Sequence, residues 1–322
     1  MLLLFFSIHF NHTNQKRVHF FQEISRTQVD LAVTMGNLLC PEGGNLPEIS
    51  TPSSPFSISL TSDDTSCSLS SSQRNELVRK DFTKIVCPFG VAITGTSSYP
   101  DSYLLHMANV VANILDADED GIADDSEILS YLKATSSNPP VVGGGIDREE
   151  ESKIDTVRSF GYGFSAQTWK ADEFEGEEVV KSIMVEEVFH MIHQWGSAQA
   201  HPEALGVEDF SSSVVCRELS KVVCCNPGWQ HPENLCLGSG CGSSVNLPLP
   251  GTCRQANCDC VEFYHQVALT LVGATPGWYG ENMPTNQEDM ESMLSSDFLD
   301  MFRDEAYSQI QNATQINGEY SA

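Results

Sequence analysis

The chain has 322 residues, with 17 Lys and Arg against 44 Asp and Glu, so its formal net charge at neutral pH is −27. A surface this acidic repels phosphate backbones and anionic lipid headgroups, which excludes nucleic-acid binding and membrane binding through a basic patch. Hydrophobic residues make up 40% of the chain, enough for a sizeable core. No apolar run approaches the ~20 residues of a bilayer-spanning helix. The acid excess makes a cation the partner to look for.

The N-terminal segment, residues 1–34, opens with the apolar run MLLLFFSIHF, which has the length and apolarity of a secretory signal core. It lacks a basic start and a clear cleavage site, so a second interpretation is an extension ahead of a true start at Met35. That start would read MGNLLC, which approaches the N-myristoylation pattern but places Cys40 where Ser or Thr is preferred. Two N-glycosylation triplets, at Asn11 and Asn312, are typical of a secreted chain.

Residues 35–75 are rich in Ser, Thr and Pro and poor in large apolar side chains. Such a composition cannot bury a core, so we expect a flexible stalk there and a folded domain over residues 76–318. Strands are expected over residues 84–94, with a break at Pro88, and at residues 140–142. The remaining pattern predicts an α+β fold dominated by helices. The predicted helices span residues 102–115, 126–134, 147–159, 177–195, 260–274 and 287–303.

The clearest motif is the acidic segment 116–127, DADEDGIADDSE, which lies between two predicted helices. A calcium loop of the EF-hand type binds its ion through positions 1, 3, 5, 7, 9 and 12, and it needs Gly at position 6 for a sharp turn. Gly121 occupies position 6. Without a cation, carboxylates at this spacing would repel one another. The predicted calcium ligands are Asp116, Asp118, Asp120, the carbonyl of Ile122, Asp124 and Glu127.

This loop resembles an EF-hand, and its Asp-x-Asp-x-Asp-Gly core is also similar to the calcium loops of dockerins and thrombospondin-type repeats. Position 8, a branched apolar residue in paired EF-hands, is Ala123 in this chain. The resemblance therefore implies a single structural calcium site rather than a paired sensor. It covers only the loop and its flanking helices, so it implies no overall activity.

Eight of the eleven cysteines fall within residues 216–260, a stretch rich in Gly and Pro. A dense, even-numbered cluster of this kind predicts a segment held by disulfide bonds, which form in an oxidising compartment. Zinc is the alternative, but the paired C-x2-C knuckles of structural zinc sites are missing. We therefore predict a Cys-rich, disulfide-stapled insert and an extracellular or secretory location. The spacing leaves the connectivity open.

The predicted helix 177–195 is the most amphipathic of the chain, and it carries an unusual set of polar residues. Glu187 lies inside its apolar face, where an ionised carboxylate must be paired, protonated or bound to a metal. Glu186, His190 and His193 follow one edge of the same face at spacings that let their side chains converge.

The predicted helix 260–274 is apolar almost all round, which indicates a buried helix. Glu262 and His265 belong to its narrow polar stripe. Because polar groups on buried helices need partners, we expect this stripe to face the polar edge of the helix 177–195.

This Glu and His constellation has three interpretations. A Glu-x-x-His on each of two helices is typical of di-iron bundles, but those need a Glu from each of two further helices, and the sequence offers no such pair. A mononuclear zinc or iron site would use His190, His193 and Glu262, with His265 beside them and Glu187 as general base. The H-E-x-x-H signature of zinc peptidases is absent. The third interpretation is a hydrogen-bonded network that joins the helices without a metal.

Two functions are therefore open. The first is a secreted calcium-binding protein, a structural or binding module for a protein or glycan that the sequence does not identify. The second is a metal-dependent hydrolase that uses zinc or iron. The combination of acidic loop, Glu-Glu-x-x-His helix and Cys-rich segment also resembles predicted secreted proteins without an assigned activity, a likeness that implies nothing about chemistry.

Overall fold

A computed structural model of the chain describes residues 49–63, 65–133, 140–144, 163–168, 177–224, 256–274, 284, 286–304, 307, 310, 316 and 319–322. All of them lie in one compact unit, Asn45–Ala322, and the other unit, Met1–Gly44, lies outside the described residues. The predicted helix 147–159 and both glycosylation triplets also lie outside them.

Five strands form one sheet, and their spatial order is the same as their chain order. The first three strands pair antiparallel, and the third, fourth and fifth pair parallel. The second and third strands confirm the prediction for residues 84–94, since a helical turn at Pro88–Gly90 separates them. The strands are β1 Ser59–Leu60, β2 Lys84–Val86, β3 Ala92–Gly95, β4 Pro140–Gly144 and β5 Gly163–Thr168.

Helices outnumber strands in the described chain, so the fold is α+β and dominated by helices, as predicted. A π-helical turn, His193–Ser197, directly follows α4. The helices are α1 Ser71–Arg79, α2 Asp101–Leu115, α3 Ser126–Lys133, α4 Glu177–Ile192, α5 Ala198–Ala200, α6 Pro202–Leu205, α7 Val214–Cys224, α8 Ala256–Leu271, α9 Gln287–Met293 and α10 Ser296–Arg303.

The predicted single helix 287–303 is wrong, because the chain breaks there into α9 and α10. Ser295 caps α10 by accepting a hydrogen bond from the backbone amide of Phe298. The buried carboxylate of Glu218 in α7 accepts hydrogen bonds from both the amide and the hydroxyl of Ser295. Because Ser295 caps α10 and is also hydrogen-bonded to Glu218, it favours the start of a new helix over a continuous helix.

Helices α2 and α8 are the centre of the core. Twelve of the fifteen residues of α2 and thirteen of the sixteen residues of α8 are buried, because both helices are apolar almost all round. Helix α4 packs against both of them and against β5. This arrangement places α4 and α8 side by side in the interior.

The described part of the segment predicted as a stalk is packed on the domain. Ile49 is buried, β1 pairs with β2, and the side-chain amide of Asn109 in α2 donates to the carbonyl of Ser53 at 2.7 Å. The fold therefore starts earlier than residue 76. The few apolar residues of the predicted stalk are too widely spaced to show the period of a helix or a strand. Their packing on the core is therefore not predictable from the sequence pattern.

Two disulfide bonds join distant parts of the described chain. Cys216 in α7 is bonded to Cys260 in α8, which confirms a disulfide-stapled Cys-rich segment. Cys67 is bonded to Cys87 at the end of β2. The second bond was not predicted, because both of its cysteines lie outside the cluster. None of the described helices is long and apolar enough to cross a membrane.

Removing the Cys67–Cys87 bond should destabilise the domain. The bond closes a sequence separation of 20 residues, so the double variant Cys67→Ala/Cys87→Ala should lose about 3 kcal/mol of unfolding free energy. Equilibrium unfolding in guanidinium chloride measures the difference. A loss well below about 1 kcal/mol would mean that the bond does not constrain the unfolded chain.

A second prediction concerns His106 in α2, which is buried against Lys181 and Glu177 of α4. Burial and the Lys181 charge lower the pKa of His106 from 6.5 to about 4. The unfolded chain therefore gains a proton below about pH 6.5 that the folded chain does not, and stability falls as the pH falls towards 4.

The variant His106→Gln should lack this contribution. Unfolding free energies measured between about pH 7 and about pH 4 should fall less steeply in the variant, by about 3 kcal/mol over the range. Because every other titrating group is shared, the difference between the two curves reports His106 alone. Parallel curves would show that His106 does not resist protonation in the fold.

Candidate metal centre

The facing sides of α4 and α8 bring together four side chains with metal-ligand chemistry. Glu186 and His190 are four residues apart on α4, and Glu262 and His265 are three residues apart on α8, so each pair shares one helix face. One ligand atom from each of the four lies within 4.8 Å of the others. We call these four residues the α4–α8 cluster.

The two carboxylates of the cluster hold protons more tightly than ordinary carboxylates. Burial, which His190 opposes and the negative charges of Glu262 and Glu187 reinforce, raises the pKa of Glu186 to about 8. Burial also raises the pKa of Glu262. A buried carboxylate is stable only if it is protonated, paired or bound to a cation, so this site favours positive charge.

The two imidazoles of the cluster differ in charge. Burial alone would lower the pKa of His190, but Glu262, Glu187 and Glu186 outweigh it and raise the pKa to about 9. Burial and the charge of His190 lower the pKa of His265 well below its ordinary value. The rings lie nearly perpendicular, with centroids 5.1 Å apart. His265 is therefore neutral, which is the form that binds metals.

One nitrogen of the cluster has no other role in the described structure. His190 Nε2 is buried and makes no hydrogen bond to any described residue, and it lies 3.4 Å from Glu262 Oε2. Two ligand atoms that each lie about 2.0–2.1 Å from a tetrahedral zinc ion are about 3.4 Å apart. The spacing of this pair therefore fits a single ion between them.

His193 does not join the cluster, although its spacing along α4 predicts that it would. The π-helical turn begins at His193, and its Nε2 lies 2.9 Å from the carbonyl of Leu205. Burial lowers the pKa of His193 to about 4, so the ring is neutral and donates to this carbonyl. Glu186 takes the place in the cluster that the sequence assigned to His193. Its position four residues before His190 was the available signal.

Glu187, predicted as a general base, lies outside the four-residue cluster. Its Oε2 atom is 3.8 Å from Nδ1 of His190, the ring nitrogen other than the one that faces Glu262. Its side chain is 23% exposed, and so is that of Glu262. The cluster is therefore buried on its imidazole side and open to solvent on its carboxylate side.

Covalent and aromatic contacts hold the two helices that carry the cluster. Cys260, which is bonded to Cys216, precedes Glu262 by two residues, and Cys258 is also disulfide-bonded. Phe189 of α4 lies between the rings of α8, with centroid distances of 5.5 Å to Tyr264 and 5.7 Å to His265. Disulfides restrict the position of α8, and the rings restrict its rotation against α4.

The turn that ends α4 is fixed by its neighbours. A Cβ atom on Gly196 would lie 2.9 Å from a methyl group of Ile128 in α3, so only glycine lets α3 approach the π-helical turn this closely. His201, which follows this turn and α5, bonds to Asp125 Oδ2 at 2.7 Å. The end of α4 is thus held by α3 and by Asp125, the residue directly before α3. Such π-helical turns occur frequently at functional sites.

The acidic loop forms a second group that can hold a metal. Ligand atoms of Asp116, Asp118 and Asp120 lie within 4.8 Å of one another, as the loop register predicts for its first three positions. Gly121 has a φ of +84°, which explains the glycine at position 6. Desolvation of its carboxylate within the loop and the negative charge of Asp120 raise the pKa of Asp118, against a hydrogen bond from the Asp120 amide.

The other predicted ligands are placed differently. Asp124 accepts a hydrogen bond from the amide of Ala117 at 2.7 Å, and Glu127 is exposed in the first turn of α3. The side chain of Ile122 is 69% exposed, and its predicted ligand is its backbone carbonyl. Three of the six predicted ligands therefore converge in the structure.

The C-terminal tail covers the first residue of the loop. Asp116 is fully buried and accepts hydrogen bonds from the amide of Gly121 at 2.8 Å and from the hydroxyl of Tyr320. The hydroxyl of Ser321 bonds to Glu119. These contacts make Asp116 part of the core as well as of the loop.

Comparisons with known proteins leave the function to be argued from these two groups. No protein-family model matches the chain, and neither a curated protein nor a solved structure matches it.

Proposed function

We propose that this protein is a secreted, metal-dependent hydrolase whose metal centre is the α4–α8 cluster. The observation that carries the proposal is the convergence of two imidazoles and two carboxylates within 4.8 Å in the interior. Two imidazoles and a carboxylate bind zinc or iron, and a hydrolytic centre leaves one metal position for water.

In this proposal three residues bind the ion and one acts as base. His190 and Glu262 are ligands because their facing atoms have a tetrahedral spacing, and His265 is a ligand because it is neutral and adjacent. Glu186 is then the free carboxylate, and it accepts the proton of the attacking water. The bound metal supplies acidification of that water. The partly exposed side chains of Glu262 and Glu187 mark the side from which substrate enters.

The loop supports a second metal role in the same protein. The convergence of Asp116, Asp118 and Asp120 favours a calcium ion that stabilises the fold, since calcium prefers carboxylate oxygens. Without the hydrolytic centre, the protein would be a calcium-stabilised binding module for a protein or glycan. The disulfide bonds and the glycosylation triplets at Asn11 and Asn312 support secretion.

The test of the α4–α8 cluster compares two histidines of the same region. Protein purified without chelators should contain one zinc or iron ion per chain by elemental analysis. His265→Gln should lose that ion, and His193→Gln should keep it, since His193 is bonded to Leu205 instead. Loss of metal in His193→Gln but not in His265→Gln would contradict the assignment. Circular dichroism checks that both variants fold.

The hydrolase role needs a separate variant. Glu186→Gln should retain the ion but lose hydrolysis by about 10²–10⁴-fold, because a general base contributes that much. Activity is measured on the metal-loaded protein with casein, nitrophenyl acetate and nitrophenyl phosphate as probes. If the loaded protein hydrolyses none of these classes, the binding module is the better description.

The calcium role is tested with exposed loop residues, so that the buried Asp116 is left intact. Millimolar calcium should raise the melting temperature of the protein, and Asp118→Asn/Asp120→Asn should abolish the rise. Asp300→Asn, an exposed carboxylate on α10, is the matched control and should respond as the unaltered protein does. An undiminished rise in the double loop variant would remove the loop from consideration.

A further inference from the structure

His190 lies between two carboxylates, one at each ring nitrogen. Its Nε2 atom is 3.4 Å from Glu262, and its Nδ1 atom is 3.8 Å from Glu187. Each ring nitrogen therefore lies nearest to a different carboxylate. The His190 side chain is 9% exposed.

The two sides of the ring have different surroundings. The Nε2 side contains Glu262 of the α4–α8 cluster, and this nitrogen is buried without a hydrogen bond among the described residues. The Nδ1 side contains Glu187, which is not a member of the cluster. An imidazole that binds a metal through one nitrogen usually donates the N–H of the other to a carboxylate. Around His190, the carboxylate of Glu262 lies at Nε2 and that of Glu187 lies on the Nδ1 side, which places one carboxylate beside each ring nitrogen.

We propose that Glu187 is a positioning residue that accepts the Nδ1–H of His190 and thereby makes Nε2 the nitrogen that binds the metal. This inference rests on the metal centre proposed above. It replaces the general-base role that the sequence suggested for Glu187. The carboxylate touches neither the ion nor the reacting water.

The helix explains why Glu187 can hold this position. Glu187 and His190 are three residues apart in a regular part of α4, before the π-helical turn begins at His193. Side chains at this spacing are neighbours on a helix surface. The contact is 3.8 Å long, beyond hydrogen-bond distance, so the proposed hydrogen bond requires Glu187 to move closer to the ring.

The partial exposure of Glu187 is compatible with a role as hydrogen-bond acceptor for His190. The side chain of Glu187 is 23% exposed, so water solvates one part of the carboxylate while another part faces the ring. A hydrogen-bond acceptor at Nδ1 fixes the ring tautomer and increases the basicity of Nε2, and both effects strengthen metal binding.

The test uses Co²⁺, whose visible spectrum reports the number and type of its ligands. Glu187→Ala should still bind one Co²⁺ per chain with unchanged band positions, but the affinity should fall about 10–100-fold. Glu187→Gln should recover part of this loss, because the amide oxygen still accepts the Nδ1–H. Glu178→Ala, a change to a carboxylate on the same helix with 92% side-chain exposure, is the control and should bind as the unaltered protein does.

A readout of the ring itself separates positioning from general stability. In the Zn²⁺-loaded protein, nitrogen-15 NMR should show His190 protonated at Nδ1 and bound at Nε2. Glu187→Ala should make the Nδ1 proton exchange faster with water, whereas a loss of packing alone would not change the ring tautomer.

Failure of the positioning role and failure of the metal centre give different results. Unchanged Co²⁺ affinity in Glu187→Ala, or altered band positions that indicate a lost ligand, would overturn the positioning role and leave the metal centre intact. Absence of Co²⁺ binding by the unaltered protein would overturn the metal centre itself, and with it this inference.

Discussion

The burial of Glu186 and Glu262 between two helices is the constraint that the rest of this structure satisfies. Two carboxylates in the interior are stable only with protons or with a cation beside them, and His190 supplies positive charge to both. Replacing a buried ionic group by well-packed apolar side chains is often neutral or stabilising, so such a group is weak evidence for stability. A divalent ion, as in the metal centre proposed above, would satisfy the same constraint with fewer protons.

A disulfide bond and aromatic contacts hold α8 in place beside α4. The Cys216–Cys260 bond fixes the helix near its start, before the cluster residues, while Phe189 packs on the rings of Tyr264 and His265. Helix α4 is held at its other end, where Gly196 lets α3 pack closely on the π-helical turn. Both helices are therefore held at points outside the cluster, which restricts the relative positions of its four side chains.

Much of this arrangement is predictable from local patterns. The acidic loop has a fixed spacing of carboxylates and a glycine, and the two helices of the cluster have a clear apolar period. Both features can therefore be predicted from the sequence alone. The membership of the cluster was less accessible. The choice of Glu186 over His193 depends on where α4 ends and on a carbonyl of α6, and no local period contains that contact. The Cys67–Cys87 bond and the break at Ser295 are also long-range events, set by partners distant in the chain.

Asp125 illustrates how misleading a position within a motif can be. It is the tenth residue of the acidic loop and is not a predicted calcium ligand, yet its Oδ1 atom accepts hydrogen bonds from the amides of Glu127 and Ile128 and its Oδ2 atom holds His201. Burial opposes these bonds, but together they lower the pKa of Asp125. A natural variant at this residue would be scored as tolerable from the loop consensus. The structure ranks it instead among the more damaging changes, because one substitution would uncap α3 and release the end of α4.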